Sequence, residues 1–238
     1  MKTPVLLLAF GIVGSHAVSY SASSPATLPS DPPFTLTLAN GGSQADRATL
    51  TEIFDATVQV VSSDRFAERL AGLGTPSLWL SATEGTLPPS QVLEIYLGRH
   101  DGMRQLPTTL RVKKGLFGLF GPRDAYTTLM VGSTVTARIT LTKWQLSRWR
   151  SGTPEGRSCA VNTMAHELAH TIWDGTGEGN QVFTDRGHED NPDRPMVSYV
   201  VGSVAQCTML ENQGALSGSF SACVEKWGTT WHHSGDCE

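Results

Sequence analysis

Met164-Ala165-His166-Glu167-Leu168-Ala169-His170-Thr171-Ile172 is the stretch on which the reading of this chain turns. Val161, Met164, Ala165, Leu168 and Ile172 recur at helical spacing and predict the buried face of a helix that stops at Asp174-Gly175. On that helix His166 and His170 stand one above the other. Two imidazoles so placed can grip one metal ion, and Glu167 can reach a water on that ion rather than the ion itself. Two His plus a third protein ligand, with one position left to water, is the open geometry of a catalytic zinc site. Chance gives such a pattern in about one in a hundred chains of this composition. The competing reading is a polar helix face whose His residues are merely solvated or hydrogen-bonded.

Outward from this helix, the N-terminus predicts export. Lys2 is followed by an apolar run from Pro4 to Gly14, too short to span a bilayer comfortably. Ser15-His16-Ala17 supplies small residues for signal cleavage after Ala17, with Ala22 as the fallback. Residues 1–17 are therefore expected to be a signal peptide, and the Ser/Pro-rich residues 18–33 a flexible leader. Residues 34–238 are expected to form one catalytic domain. No later segment is apolar enough to cross a membrane, so the mature chain is expected to be a soluble secreted protein, with the periplasm as the alternative. The formal charge of −4 is mild and no Lys/Arg block occurs, which argues against nucleic acid or an anionic membrane as partner. Lys113-Lys114 reads as a solvated turn.

The 4 Cys all lie downstream of the signal. An even count in an exported chain favours two disulfides. Cys207–Cys223 and Cys159–Cys237 are the favoured pairs: one closes a local loop, the other ties the tail to the motif helix. No C-x-x-C occurs, which disfavours a Cys-based zinc site.

The remaining chain reads as strands and helices first, then the motif helix, then a loop-rich end. Phe34–Leu38 alternates as a strand. Ser43 caps a helix to about Val61, and a shorter helix carries Phe66, Leu70 and Leu73. Leu78–Leu80 is a short strand, Ser90 caps a helix bearing Val92 to Leu97, and Leu110–Val112 is another strand. Gly115–Gly121 is a glycine-spaced apolar loop with no Gly-Lys-Ser/Thr after it, hence a poor phosphate cradle. Thr134–Thr142 alternates polar and apolar residues and is the clearest strand, a candidate edge for an extended substrate. Met196–Leu210 is a second helix or a buried turn.

Two His leave a metal one protein ligand short. Asp174, Glu178, Asp185, His188, Glu189 and His232-His233 are the candidates. Asp174 continues the His stripe one turn too far. The Gly-rich stretch after the helix lets the chain double back, which favours the region of Asp185 and His188. His188 is the expected third ligand because imidazole suits zinc. Asp185 is the alternative, as a ligand itself or as a hydrogen-bond partner of a ligand His. His100 and the His232-His233 pair are expected on the surface.

His166-Glu167-Leu168-Ala169-His170 resembles the motif of the zincin zinc metallopeptidases. Trp173 and Thr176 stand where the metzincin clan has Gly and a third His, so a metzincin-like site would carry an insert before His188. Met196-Val197-Ser198-Tyr199 resembles the Met-turn beneath such sites, one residue longer, and Gly175-Thr176 with Asp185 resembles aspartate-ligated zincins at another spacing. The resemblance implies an α+β zincin-like fold: a small mixed sheet with helices, the motif helix, and a loop-rich disulfide-containing C-terminal part. It implies Zn2+ held by His166, His170 and His188, with Glu167 as general base in peptide-bond hydrolysis. A peptide or protein substrate and a monomeric enzyme are expected. The alternatives are a non-catalytic zinc-binding secreted protein on the same scaffold and a zinc amidase acting on cell-wall peptide.

Overall fold

The computed structural model describes Phe34 and residues 36–39, 42–75, 77–80, 85–113, 125–132, 134–175, 180–186 and 194–228. The expected signal, leader, Gly115–Gly121 loop and His232-His233 pair lie outside the described residues. The described chain is mixed α+β, with seven helices and small sheets.

The largest sheet has four strands in the order β1 (Leu36–Leu38), β5 (Thr108–Val112), β7 (Val135–Leu141), β6 (Tyr126–Val131). β1 and β7 run parallel to β5, and β6 runs antiparallel to β7. Ala137, Ile139 and Leu141 are buried, as the alternation predicts. The clearest strand of the sequence is thus interior, with partners on both sides. The expectation that it forms a free edge is corrected: among the described strands the edges are β1 and β6, and the β6 run Tyr126-Thr127-Thr128-Leu129-Met130-Val131 is rich in strand formers. β2 (Leu78–Trp79) pairs antiparallel with β3 (Thr86–Leu87). β4 (Met103–Gln105), β8 (Ile172–Asp174) and β9 (Asn180–Gln181) form a third, antiparallel sheet.

The first helix is α1 (Gln44–Val61). Ser43 is the expected cap: it accepts from the Asp46 amide, and the Asp46 carboxylate accepts from the Ser43 amide, so the two form a reciprocal box. Arg150 donates to the same carboxylate and holds its pKa below the ordinary range. α2 (Asp64–Ala71) buries Phe66 and Leu70 and stops before Leu73. α3 (Pro89–Tyr96) begins two residues earlier than expected. Pro88 is the N-cap and Pro89 the first helical residue, where a missing N–H costs nothing, so Ser90 lies inside the helix. The buried Tyr96 hydroxyl, its pKa pushed up by burial, donates to the Ala165 carbonyl at 3.1 Å.

α4 (Lys143–Arg150) leads into α5 (Pro154–Ala169), the motif helix. Thr153 caps α5 by accepting from the Gly156 amide. Nearly every residue of α5 from Ser158 onward is buried, because α1, α4 and α6 (Val197–Asn212) all pack on it. That all-round burial explains why its apolar pattern is broad rather than a stripe. At Gly202 of α6 a methyl group would fall 2.5 Å from Asn162 Oδ1 and 3.0 Å from the Asn162 carbonyl, so glycine is what allows the two helices to approach. Asn162 Nδ2 donates to Gln206 Oε1 at 2.6 Å across the same contact. α7 (Phe220–Gly228) is tied to α6 by the expected Cys207–Cys223 disulfide. Cys159 is buried and not free, while Cys237, its expected partner, lies outside the described residues.

α5 ends sooner than its sequence pattern predicts. His170 is the C-cap, and Ile172, read as helical, belongs to β8. A long periodic pattern fails here because a strand begins where the apolar residue recurs.

Candidate metal centre

His166 and Glu167 occupy the last turn of α5 and His170 caps it. Helix C-termini leave carbonyls unpaired and carry partial negative charge, which favours a cation there. Side chains from three strands meet these carbonyls. The Thr127 hydroxyl lies 3.1 Å from the Glu167 oxygen, Gln105 Nε2 donates to Leu168 at 3.4 Å, and Gln181 Nε2 donates to His170 at 2.9 Å.

Beyond the helix the chain doubles back. β8 pairs with β9 through Trp173↔Gln181 and Asp174↔Asn180, and the Val182 amide donates to the Ile172 carbonyl. Phe183 is then fully buried, and its carbonyl accepts from His170 Nδ1 at 3.0 Å. A carbonyl can only accept, so Nδ1 carries the proton and Nε2 of the neutral ring presents a lone pair. Thr184 and Asp185 follow. The Thr184 amide donates to the Leu80 carbonyl, while the neighbouring Trp79 amide donates to the Pro195 carbonyl, each at 3.0 Å. Trp79 also bridges Met196. The end of β2 therefore holds the chain on both sides of the Asp185 segment.

Asp185 Oδ2 lies 3.0 Å from His166 Nε2 and 3.0 Å from His170 Nε2, and the two Nε2 atoms are 3.1 Å apart. The rings meet edge to face, with centroids 4.8 Å apart at 87°. Three donor atoms thus form a near-equilateral triangle. With a proton on His170 Nδ1, this side has more lone pairs than protons to separate them. His170 resolves the conflict by protonation. Burial lowers its pKa, but the Asp185 charge and hydrogen bond outweigh that and raise it to about 9. Burial likewise raises the Asp185 carboxyl, and the two imidazoles overcome that and hold it well below the carboxylate range. A cation would serve equally. Ligands about 2.0–2.1 Å from a tetrahedral ion are about 3.3–3.4 Å apart, so each donor would need to withdraw by only a few tenths of an ångström. This group could hold a metal ion.

The third member is Asp185, the alternative of the sequence reading. His188, the expected ligand, lies outside the described residues, as do Glu178, Glu189 and the His232-His233 pair. Asp174 is taken up in β8, paired with Met103 and Asn180. His100 is half-buried, its ring nitrogen 3.1 Å from the Asp101 carbonyl.

Three further contributors were not legible in the sequence as site residues. Ser198, at the start of α6, donates to Asp185 Oδ1. Thr127 of β6 donates to Glu167 Oε2 at 2.6 Å. Phe183 acts through its backbone, which no sequence pattern marks. Tyr199 packs edge-on against His166, with centroids 4.7 Å apart. Met196 is the buried N-cap of α6, so the Met196–Tyr199 stretch that resembles a Met-turn is the entry of a helix.

His166, Glu167, His170 and Asp185 line a cleft of about 330 Å3 open to solvent, together with Tyr126 and Thr127 of β6 and with Thr184 and Tyr199. Glu167 is only 2% exposed yet faces the cleft. No protein-family model matches this chain, and neither the curated proteins nor the solved structures contain a significant match to it.

Proposed function

We propose that this chain is a secreted zinc-dependent metallopeptidase of zincin type, with His166, His170 and Asp185 as metal ligands and Glu167 as general base. The observation that carries the reading is the triangle of His166 Nε2, His170 Nε2 and Asp185 Oδ2, open to a cleft that Glu167 also lines. Two imidazoles and one carboxylate suit zinc and leave a coordination position for water. Zinc bound there supplies a Lewis acid that acidifies water and polarises a carbonyl.

The chain's own residues do the rest. Phe183 fixes the His170 tautomer, and Ser198 aims the Asp185 carboxylate. Glu167 takes the proton of the attacking water and delivers it to the leaving amine. β6 is an edge strand among the described residues, and its side beside the cleft suits pairing with an extended peptide. Export is supported by the Cys207–Cys223 bridge, which persists in oxidising compartments. Among the described residues no helix is long and apolar enough to cross a membrane.

The same donor set also suits iron(II). Glu167 beside it favours hydrolysis over oxygen chemistry, and metal analysis decides between the two. Purified protein is expected to hold about one zinc per chain and to cleave casein or a peptide library in a chelator-sensitive way. Glu167→Ala is expected to keep the metal and lose about 10²–10⁴-fold in hydrolysis. Undiminished hydrolysis in that variant removes Glu167 from the mechanism.

A further inference from the structure

Glu167 is the residue of the centre with the most freedom to be in the wrong place. Its side chain has three rotatable bonds, and a displacement of about 1 Å in a reacting group can cost 10²-fold in rate. The structure shows one side chain that restrains it. Thr127 Oγ1 lies 2.6 Å from Glu167 Oε2 and 3.1 Å from the Glu167 carbonyl. A hydroxyl has a single proton, and the shorter contact, to a charged acceptor, takes it. One carboxylate oxygen of a residue that lines the cleft is thereby tied down.

Thr127 is suited to this task. As a β-branched residue it has few χ1 choices. Its backbone is fixed by the pairing Thr127↔Ile139, and Ile139 is fully buried in the middle of the sheet. Among the described residues no strand pairs with the opposite side of β6. The strand that offers an edge to the cleft is therefore the strand that holds the base.

We propose that Thr127 is a positioning residue that holds the Glu167 carboxylate in its proton-accepting pose through the hydroxyl–Oε2 hydrogen bond. The proposal rests on the reading of Glu167 as general base. A merely structural Thr127 would act through the Glu167 carbonyl alone, steadying the end of α5 without touching turnover.

The test compares Thr127→Val, which keeps the shape and loses the hydroxyl, with Thr127→Ser, which keeps the hydroxyl. Both are made in the full secreted chain loaded with zinc. Thr127→Val is expected to lower kcat about 10–100-fold with KM changed less than about twofold, and Thr127→Ser to restore kcat to within about threefold of the parent. Zinc affinity, read by chelator competition, is expected to be unchanged in both.

A second readout does not need turnover. Acetohydroxamate gives a proton to a carboxylate beside the metal when it binds, whereas azide, already an anion at neutral pH, binds the metal without giving one. Thr127→Val and Glu167→Ala are both expected to weaken acetohydroxamate about tenfold or more relative to azide, while Thr127→Ser does not. If the parent hydrolyses no peptide, the function proposed above fails, and the acetohydroxamate comparison still decides the role of Thr127. Parent-like kcat and acetohydroxamate affinity in Thr127→Val overturn the proposal, as does a Ser variant as impaired as the Val variant. Should Thr127→Val not fold, Thr127→Ala against Thr127→Ser carries the same comparison.

Discussion

The Ser198 hydroxyl donates to Asp185 Oδ1 across 2.5 Å, and Asp185 Oδ2 in turn faces both imidazoles. The first turn of α6 thus sets the rotation of a carboxylate on a segment that has no helix or strand of its own. Outer partners of metal ligands typically contribute 10–100-fold in metal affinity. Ser198→Ala is expected to weaken zinc binding by about that factor, read by competition with a chromophoric chelator. Full affinity in that variant would show that another contact orients Asp185.

Removing a ligand goes further. His170→Ala and Asp185→Ala are each expected to weaken zinc binding by more than about 100-fold, beyond the effect of an outer partner. His188→Ala is expected to retain the metal, because the described residues already close the triangle. Metal content after gel filtration measures all three. Zinc lost from His188→Ala and kept by Asp185→Ala would reinstate the imidazole as third ligand.

The metal-free protein is expected to show a stability maximum in mildly acidic solution. The folded pKa of His170 is raised from 6.5 to about 9, so its contribution is complete below 6.5 and is lost as pH rises through about 9. Asp185 is held well below 3.8, so its contribution is present above 3.8 and is lost as pH falls through the depressed folded value. The Tm of chelator-treated protein should therefore decline on the alkaline side from about pH 7. Metal needs the lone pair of His170 and displaces its proton. The loaded protein should lose that alkaline decline, and loading near pH 7 should release protons into weak buffer. A flat alkaline profile without metal would contradict the paired state of His170 and Asp185.

Gly202→Ala tests the closest approach of α5 and α6. The added methyl group meets the backbone carbonyl of Asn162 as well as its movable amide, so the helices must separate. Overpacking of this kind costs about 1–3 kcal/mol, which for a chain of this size lowers Tm by roughly 2–4 °C per kcal/mol. Because α5 carries His166 and α6 carries Ser198, zinc affinity should fall alongside Tm. A neutral Gly202→Ala would mean that the helix pair has slack.

Much of this arrangement was legible in the residues. Ser43 marked the start of α1, the alternation from Val135 to Leu141 marked β7, and the Cys207–Cys223 spacing gave the described disulfide. The His166–His170 pair was legible because two like side chains four apart need only a helix to meet. The third member of the triangle was legible only as the alternative, because its place depends on how β8 and β9 turn the chain back. Choosing His188 weighed the affinity of imidazole for zinc, whereas Asp185 is placed by Phe183, Thr184 and Ser198. The rank of β7 within the sheet was equally hidden: alternation reports which face is buried, not how many neighbours a strand has. Thr127 was missed with its strand, although the β-branched run around it carried the signal.

The clip at Leu80 and Trp79 has a use beyond architecture. Thr184 departs from one of these residues and Pro195 returns to the other. A longer excursion between them would be charged only the entropy of a larger ring, about 0.6 kcal/mol for each doubling of its length. An insertion between Thr184 and Pro195 is thus expected to leave Asp185, one residue from the Thr184 fastening, at its station.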